Sequence, residues 1–141
     1  MLDGRLRVGS DAELAGYRAR SHLHDGRVVA WAGSYDVPVA VDAEVDRTVP
    51  MALGRRFGTD GFWERWTRAE CVVKLTGRGV VDIVDLIDDD AVRGERPGAG
   101  VCLSTVHLPG DIVVSVGRLH REGSLWGIGR SAGDCSFACN L

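Results

Sequence analysis

Residues 37–45 read Val-Pro-Val-Ala-Val-Asp-Ala-Glu-Val, with an apolar side chain at every odd position. A two-residue period sends alternate side chains to opposite faces of an extended chain. The segment is therefore a strand, with Val37, Val39, Val41, Ala43 and Val45 on a core face. Pro38, Ala40, Asp42 and Glu44 share the other face. Pro38 lacks a backbone N–H, which places the strand at a sheet edge or the proline at its first residues.

Similar signals recur along the chain. Val28 to Gly33 is a short apolar run rich in β-formers. Ala69 to Thr76 and Gly79 to Ile87 are two further runs, and Gly77-Arg78 between them reads as a compact hairpin turn. Val101 to Leu108 and Asp111 to Val116 flank Pro109-Gly110, a second turn signal. Leu125 to Ile128 and Ser136 to Ala138 close the pattern. Helical periodicity is weak. Its best stretch is Asp11 to Arg20, with Ser10 as an N-cap, Leu14 and Tyr17 on one face, and Gly16 weakening it. No β-helix-β rhythm appears.

Many short strands with Gly-rich turns predict an all-β fold, an antiparallel β-sandwich of jelly-roll type. The 141 residues fit one domain. Within 1–141, residues 1–27 form a poorly patterned N-terminal segment and 28–141 the sandwich. Val37, Val39, Val41, Val72, Leu75, Val81, Ile83, Val101, Leu103, Val114 and Trp126 are expected to share one core between two sheets.

The chain is 45% hydrophobic and 26% charged, with net charge −3. That balance suits a globular protein and argues against a nucleic-acid partner, which selects a basic face. No apolar run is long enough for a membrane span, and the N-terminus carries no signal-peptide pattern. A cytoplasmic protein is the expectation. Lys74 is the only lysine in the chain.

Cys71, Cys102, Cys135 and Cys139 read as free thiols. The last two are four apart and lack further metal ligands at suitable spacing. His22-Leu23-His24-Asp25 could share a metal only if His107 or His120 joined it, and surface histidines before a Gly26 turn are the preferred reading. Asp88-Asp89-Asp90 follows an apolar run as a metal-binding carboxylate pair would, but reads better as a solvated turn. No phosphate-binding Gly-rich loop and no Gly-x-Ser-x-Gly nucleophile motif is present. Neither a metal nor a cofactor is expected.

The most distinctive segment is Phe57-Gly58-Thr59-Asp60-Gly61-Phe62-Trp63-Glu64-Arg65-Trp66-Thr67. Four aromatic residues fall within ten positions of a chain that is 6% aromatic. Phe57, Phe62, Trp63 and Trp66 have two readings. They plug one end of the fold, or they form a platform on which a sugar ring stacks. In the first case Trp63 and Trp66, three apart, share a buried face while Glu64 and Arg65 face water.

This segment, followed by Cys71-Val72-Val73, by Thr76-Gly77-Arg78-Gly79-Val80-Val81-Asp82-Ile83 and by Gly123-Ser124-Leu125-Trp126, resembles the N-terminal β-sandwich domain of bacterial galactofuranosyltransferases. These enzymes build the actinobacterial cell-wall galactan. The family pattern runs aromatic-Trp-x-x-Trp-Thr, then a strand, then Thr-Gly-x-Gly-x-Val-Asp-Val, and later Gly-Gly-x-x-Trp. The second element here has one extra residue and the third lacks one glycine. The resemblance covers about residues 35 to 130.

In that family the sandwich precedes a larger, metal-dependent catalytic domain that binds the nucleotide sugar. Its catalytic residues have no counterparts in this sequence. The resemblance implies a non-catalytic accessory or carbohydrate-contact module, stand-alone or a truncated remnant of a longer enzyme. Its sugar-contact candidates are Phe57, Phe62, Trp63 and Trp66, and its partners a glycosyltransferase domain or a galactan-like saccharide. Two other classes fit the same strands. One is a small β-barrel enzyme of cyclase or isomerase type with a carboxylate or histidine in its mouth, and the other is a protein-interaction module.

Overall fold

The computed structural model describes residues 3–89, 92 and 100–119. Among these residues, six strands form two antiparallel three-stranded sheets. The first contains β1 (Leu6–Gly9), β2 (Arg20–His22) and β3 (Val28–Trp31), in the order β1-β3-β2. The second contains β4 (Val39–Val45), β5 (Val101–Leu108) and β6 (Ile112–Leu119), in the order β4-β6-β5. Among the described residues, three helices lie between β4 and β5 in sequence: α1 (Met51–Phe57), α2 (Phe62–Thr76) and α3 (Ile83–Leu86).

The alternation in β4 works as expected. Val41 and Ala43, with Ile112, Val114 and Val116 of β6, pack against Leu6, Val29 and Trp31 of the first sheet. The two sheets thus share one hydrophobic cluster. β4 sits at the edge of its sheet, and Pro38 lies just before it. Ser21 of β2 ties the two sheets along this edge, because its Oγ accepts the Ala43 N–H at 3.0 Å.

The opposite face of the second sheet is covered by α2. Register pairs Val41 with Val116 and Ala43 with Val114, so the odd residues of β6 face the helix. Val113 there joins Phe62 and Trp63, while Val101 and Leu103 join Ala69, Val72 and Val73. Gly117 makes the close approach workable. A Cβ there would lie 2.9 Å from Leu75 Cδ1 and 3.1 Å from Cys71 Cβ.

The hairpin expected across Gly77-Arg78 is not formed. Residues 69–76 belong to α2, and Gly77, at φ 68°, is the left-handed residue that ends it. Residues 79–87 form a short 3-10 turn over Val80–Asp82, then α3. A short apolar run does not distinguish a strand from a buried helix. Here the i, i+4, i+8 series Trp63, Thr67, Cys71 buries one helical face, and that face decides the outcome. Val81, expected in the core, is 82% exposed. The expected single core is divided between the two faces of the second sheet.

The expected N-terminal helix is also absent. Residues 11–16 are turns. Ser10 and Glu13 cap each other at 2.7–3.3 Å as at a helix start. Leu14 and Tyr17 then press onto Val28 and Ala30 of β3, and Arg20 is drawn into strand pairing with Ala30. Tertiary packing overrides a short segment's helical tendency. The hairpin at Pro109-Gly110 forms as expected, with Gly110 and Asp111 at φ 85° and 57°. Trp126, His120, Asp90, Cys135, Cys139 and the two C-terminal strand signals lie outside the described residues.

Candidate functional site

A polar row crosses the second sheet beneath α2. Asp42 of β4 is paired in register with Ser115 of β6, and Ser115 with Thr105 of β5. All three face the helix, because their neighbours at odd spacing face the first sheet. From α2, Thr67, Arg68, Cys71 and Lys74 meet this row. Polar groups in such a place must be partnered, and they are.

At the β4 end, Lys74 Nζ donates to Asp42 Oδ1 and to the Val41 carbonyl, each at 2.8 Å. Burial pushes the Asp42 carboxyl up to about 7 against the pull of the Lys74 ammonium. Burial raises Glu70 as well. The thiol of Cys71 lies 3.3 Å from the Ser115 carbonyl, and its complete burial pushes its pKa far above the ordinary thiol range. This is an inert, structural cysteine.

At the β5 end, hydroxyls form a chain. Thr67 Oγ1 lies 2.7 Å from Ser115 Oγ, which lies 2.8 Å from Thr105 Oγ1. Arg68 Nη1 donates to Thr105 Oγ1 at 3.1 Å, and Arg68 Nε donates to the Val92 carbonyl. Thr67 Oγ1 donates to the Glu64 carbonyl at 3.2 Å.

This end of the row opens into a groove of about 780 Å³. Phe57, Asp60, Glu64, Arg65, Arg68 and Thr105 line it. Its rim is the turn between α1 and α2. Gly58 and Gly61 there hold φ 75° and 56°, conformations that side-chain-bearing residues rarely adopt. Arg65 fastens this turn. Its Nη2 donates to the carbonyls of Phe57, Gly58 and Asp60 at 2.8–3.3 Å, and its Nη1 pairs with Asp88 at 2.8 Å. Only 13% of the Arg65 side chain is exposed, so the expectation that it faces water is corrected. Glu64, on the preceding position, pairs with His107 of β5 at 3.0 Å.

The four aromatic candidates divide by depth. Phe62 and Trp63 are 1% and 5% exposed and stack edge to face at 4.9 Å. Trp63 Nε1 donates to the Arg47 carbonyl at 2.7 Å, with the Arg47 guanidinium 4.1 Å above the ring. Trp66 is half-buried and stacks on Phe62 at 5.8 Å. Phe57, also half-buried, is the one of the four that lines the groove.

The other candidates stay apart. His22 pairs with Asp11 at 2.8 Å on an exposed surface, and His24 is exposed. Asp88 serves Arg65. Among the described residues no group of three His, Cys, Asp or Glu side chains converges as a metal site, and no helix is long and apolar enough to cross a membrane.

Sequence reasoning missed Asp42, Arg68, Thr105 and Ser115. Two weak signals pointed there. Lys74 stands alone among arginines, and Asp42 sits in the middle of a strand whose only other charged residue is Glu44. Comparison of the chain with protein-family models, with curated proteins and with solved structures finds no match.

Proposed function

We propose that this chain is a non-catalytic carbohydrate-contact module, related to the β-sandwich that precedes the catalytic domain of bacterial galactofuranosyltransferases. In this reading it works in the cytoplasm beside a glycosyltransferase domain, on galactan or a similar saccharide. The two sheets that share one cluster support the sandwich, and a jelly-roll-like order belongs to the same reading.

The composition of the groove carries the proposal. Sugar rings offer apolar C–H faces ringed by hydroxyls. Phe57 supplies an apolar surface, and Asp60, Glu64 and Arg68 supply planar polar groups for hydroxyls. The Arg65 clamp holds that surface in shape before any ligand arrives, which lowers the ordering cost of binding.

The test is titration calorimetry of the full chain with galactofuranose oligosaccharides. Binding that weakens in a folded Phe57→Ala variant supports the proposal. No heat with any galactan fragment would sink it. Turnover of a nucleotide-activated galactofuranose with a divalent metal would overturn its non-catalytic part.

A further inference from the structure

Hydroxyl bookkeeping in the buried row determines what the groove offers a ligand. Thr67 has one hydroxyl proton, and it goes to the Glu64 carbonyl. Ser115 must then be the donor in its 2.7 Å contact with Thr67. With its proton spent, Ser115 accepts from Thr105 at 2.8 Å. Thr105 in turn accepts from Arg68. All three hydroxyl protons point inward, away from the groove. Thr105 therefore presents only lone pairs at the groove wall, and Arg68 is the donor there.

The guanidinium is fixed in place. Nε is held by the Val92 carbonyl and Nη1 by Thr105, whereas Nη2 has no protein partner among the described residues. Both partners are neutral. Among the described residues no carboxylate forms an ion pair with Arg68, since Glu64 on the same helix face is committed to His107. Burial lowers the Arg68 pKa, yet arginine keeps its proton in proteins. Among the described residues this half-buried cation faces the groove without an ion pair of its own, while Asp60 and Glu64 line the same groove.

We infer that Arg68 is the seat for an oxyanion, and that the groove takes a saccharide bearing a carboxylate or phosphate in preference to a neutral one. This inference rests on the carbohydrate reading of the same groove. A planar fork with one edge pinned by the protein and the other free matches the two oxygens of such a group.

The experiment titrates the full chain with galactose, galacturonate, galactose 1-phosphate and inorganic phosphate. The acidic sugars are expected to bind about tenfold more tightly than galactose, the effect of one hydrogen-bonded charge pair. Arg68→Gln should reduce that ratio to about one, and Arg68→Lys, which keeps the charge and loses the fork, should recover part of it. Phe57→Ala should weaken acidic and neutral sugars together and preserve the ratio. Near-ultraviolet circular dichroism of the tryptophans confirms that each variant is folded.

Equal affinity for acidic and neutral sugars would overturn the oxyanion seat and leave the carbohydrate reading standing. A preference that survives Arg68→Gln overturns the assignment to Arg68. Inorganic phosphate binding as tightly as the sugar phosphate, with no galactose binding, overturns the saccharide in both. The carboxylate and phosphate arms show which oxyanion the seat prefers.

Discussion

Thr67 Oγ1 and Ser115 Oγ lie 2.7 Å apart where α2 crosses β6. Both side chains are fully buried, so each hydroxyl depends on the other. Ser115→Ala leaves a Thr105 proton and a Thr67 lone pair without partners in an apolar setting. The expected loss is about 1–3 kcal/mol of stability, measured by urea unfolding. An unchanged midpoint would mean that the chain of hydroxyls contributes nothing to docking the helix.

Trp63, more than Trp66, anchors the start of α2. Trp63→Ala removes a buried indole and should cost about 3–5 kcal/mol. Trp63→Phe keeps most of the volume but orphans the Arg47 carbonyl, an expected cost of about 1–3 kcal/mol. Trp66→Ala should cost less than Trp63→Ala, because its ring is half in water. Glu64→Ala, which breaks an exposed pair with His107, should change stability by about 0–1 kcal/mol. Thermal melts of the four variants give the order, and a reversal of Trp63 and Trp66 would contradict the burial seen here.

Arg65→Ala should free the turn between α1 and α2. Three carbonyls lose a shared cationic donor at once. Amide hydrogen exchange across residues 57–61 is expected to quicken, with the α2 interior still protected. Asp88→Ala removes only the more exposed partner and should leave that exchange much slower than Arg65→Ala does. Equal exchange in the two variants would assign the clamp to the ion pair instead of the carbonyls.

Stability should fall as pH rises from about 4 to about 7. Asp42 has a folded pKa near 7 against an ordinary 3.8. Between those values the folded state holds a proton that the unfolded chain has released. Its contribution is therefore complete below the unfolded value and is lost as pH climbs through the folded one. Glu70 shifts in the same direction. Melting temperatures across this range, compared with those of Asp42→Asn, isolate the effect. The variant should show a shallower slope, and a slope identical to wild type would remove Asp42 as its source.

Gly117→Ala tests the helix-to-sheet distance. The new methyl would meet Cys71 Cβ at 3.1 Å and Leu103 Cδ2 at 3.3 Å, besides the Leu75 methyl. Leu75 can rotate away, whereas Cys71 Cβ moves only with α2 itself. A loss of about 1–3 kcal/mol is expected. Wild-type stability would show that the helix can lift from β6 without cost.

What was readable in the sequence was the two-residue period. Val39 to Val45 and the β5–β6 hairpin declare themselves, because alternation and a Pro-Gly turn are local signals. The run from Ala69 to Thr76 does not. Cys-Val-Val with Leu-Thr has strand-like composition, and its helical state depends on a sheet face supplied by residues 101–117. The aromatic cluster was visible as a cluster, but its division into buried Trp63 and groove-lining Phe57 depends on where α2 starts. The polar row was illegible for a related reason. Asp42, Ser115 and Thr105 are far apart in sequence, and only strand register aligns them.

Register also has a consequence for how the chain is made. β6 is hydrogen-bonded to both its neighbours and supplies both faces of its sheet, yet it begins only at Ile112. β4 is complete at Val45 and α2 at Thr76. As the ribosome delivers the chain from its N-terminus, both elements emerge before the surface they are to cover exists. A nascent polypeptide of this protein therefore carries an unpaired strand edge and an apolar helix face while residues 77–111 are added. That interval is when chaperone capture or aggregation competes with folding.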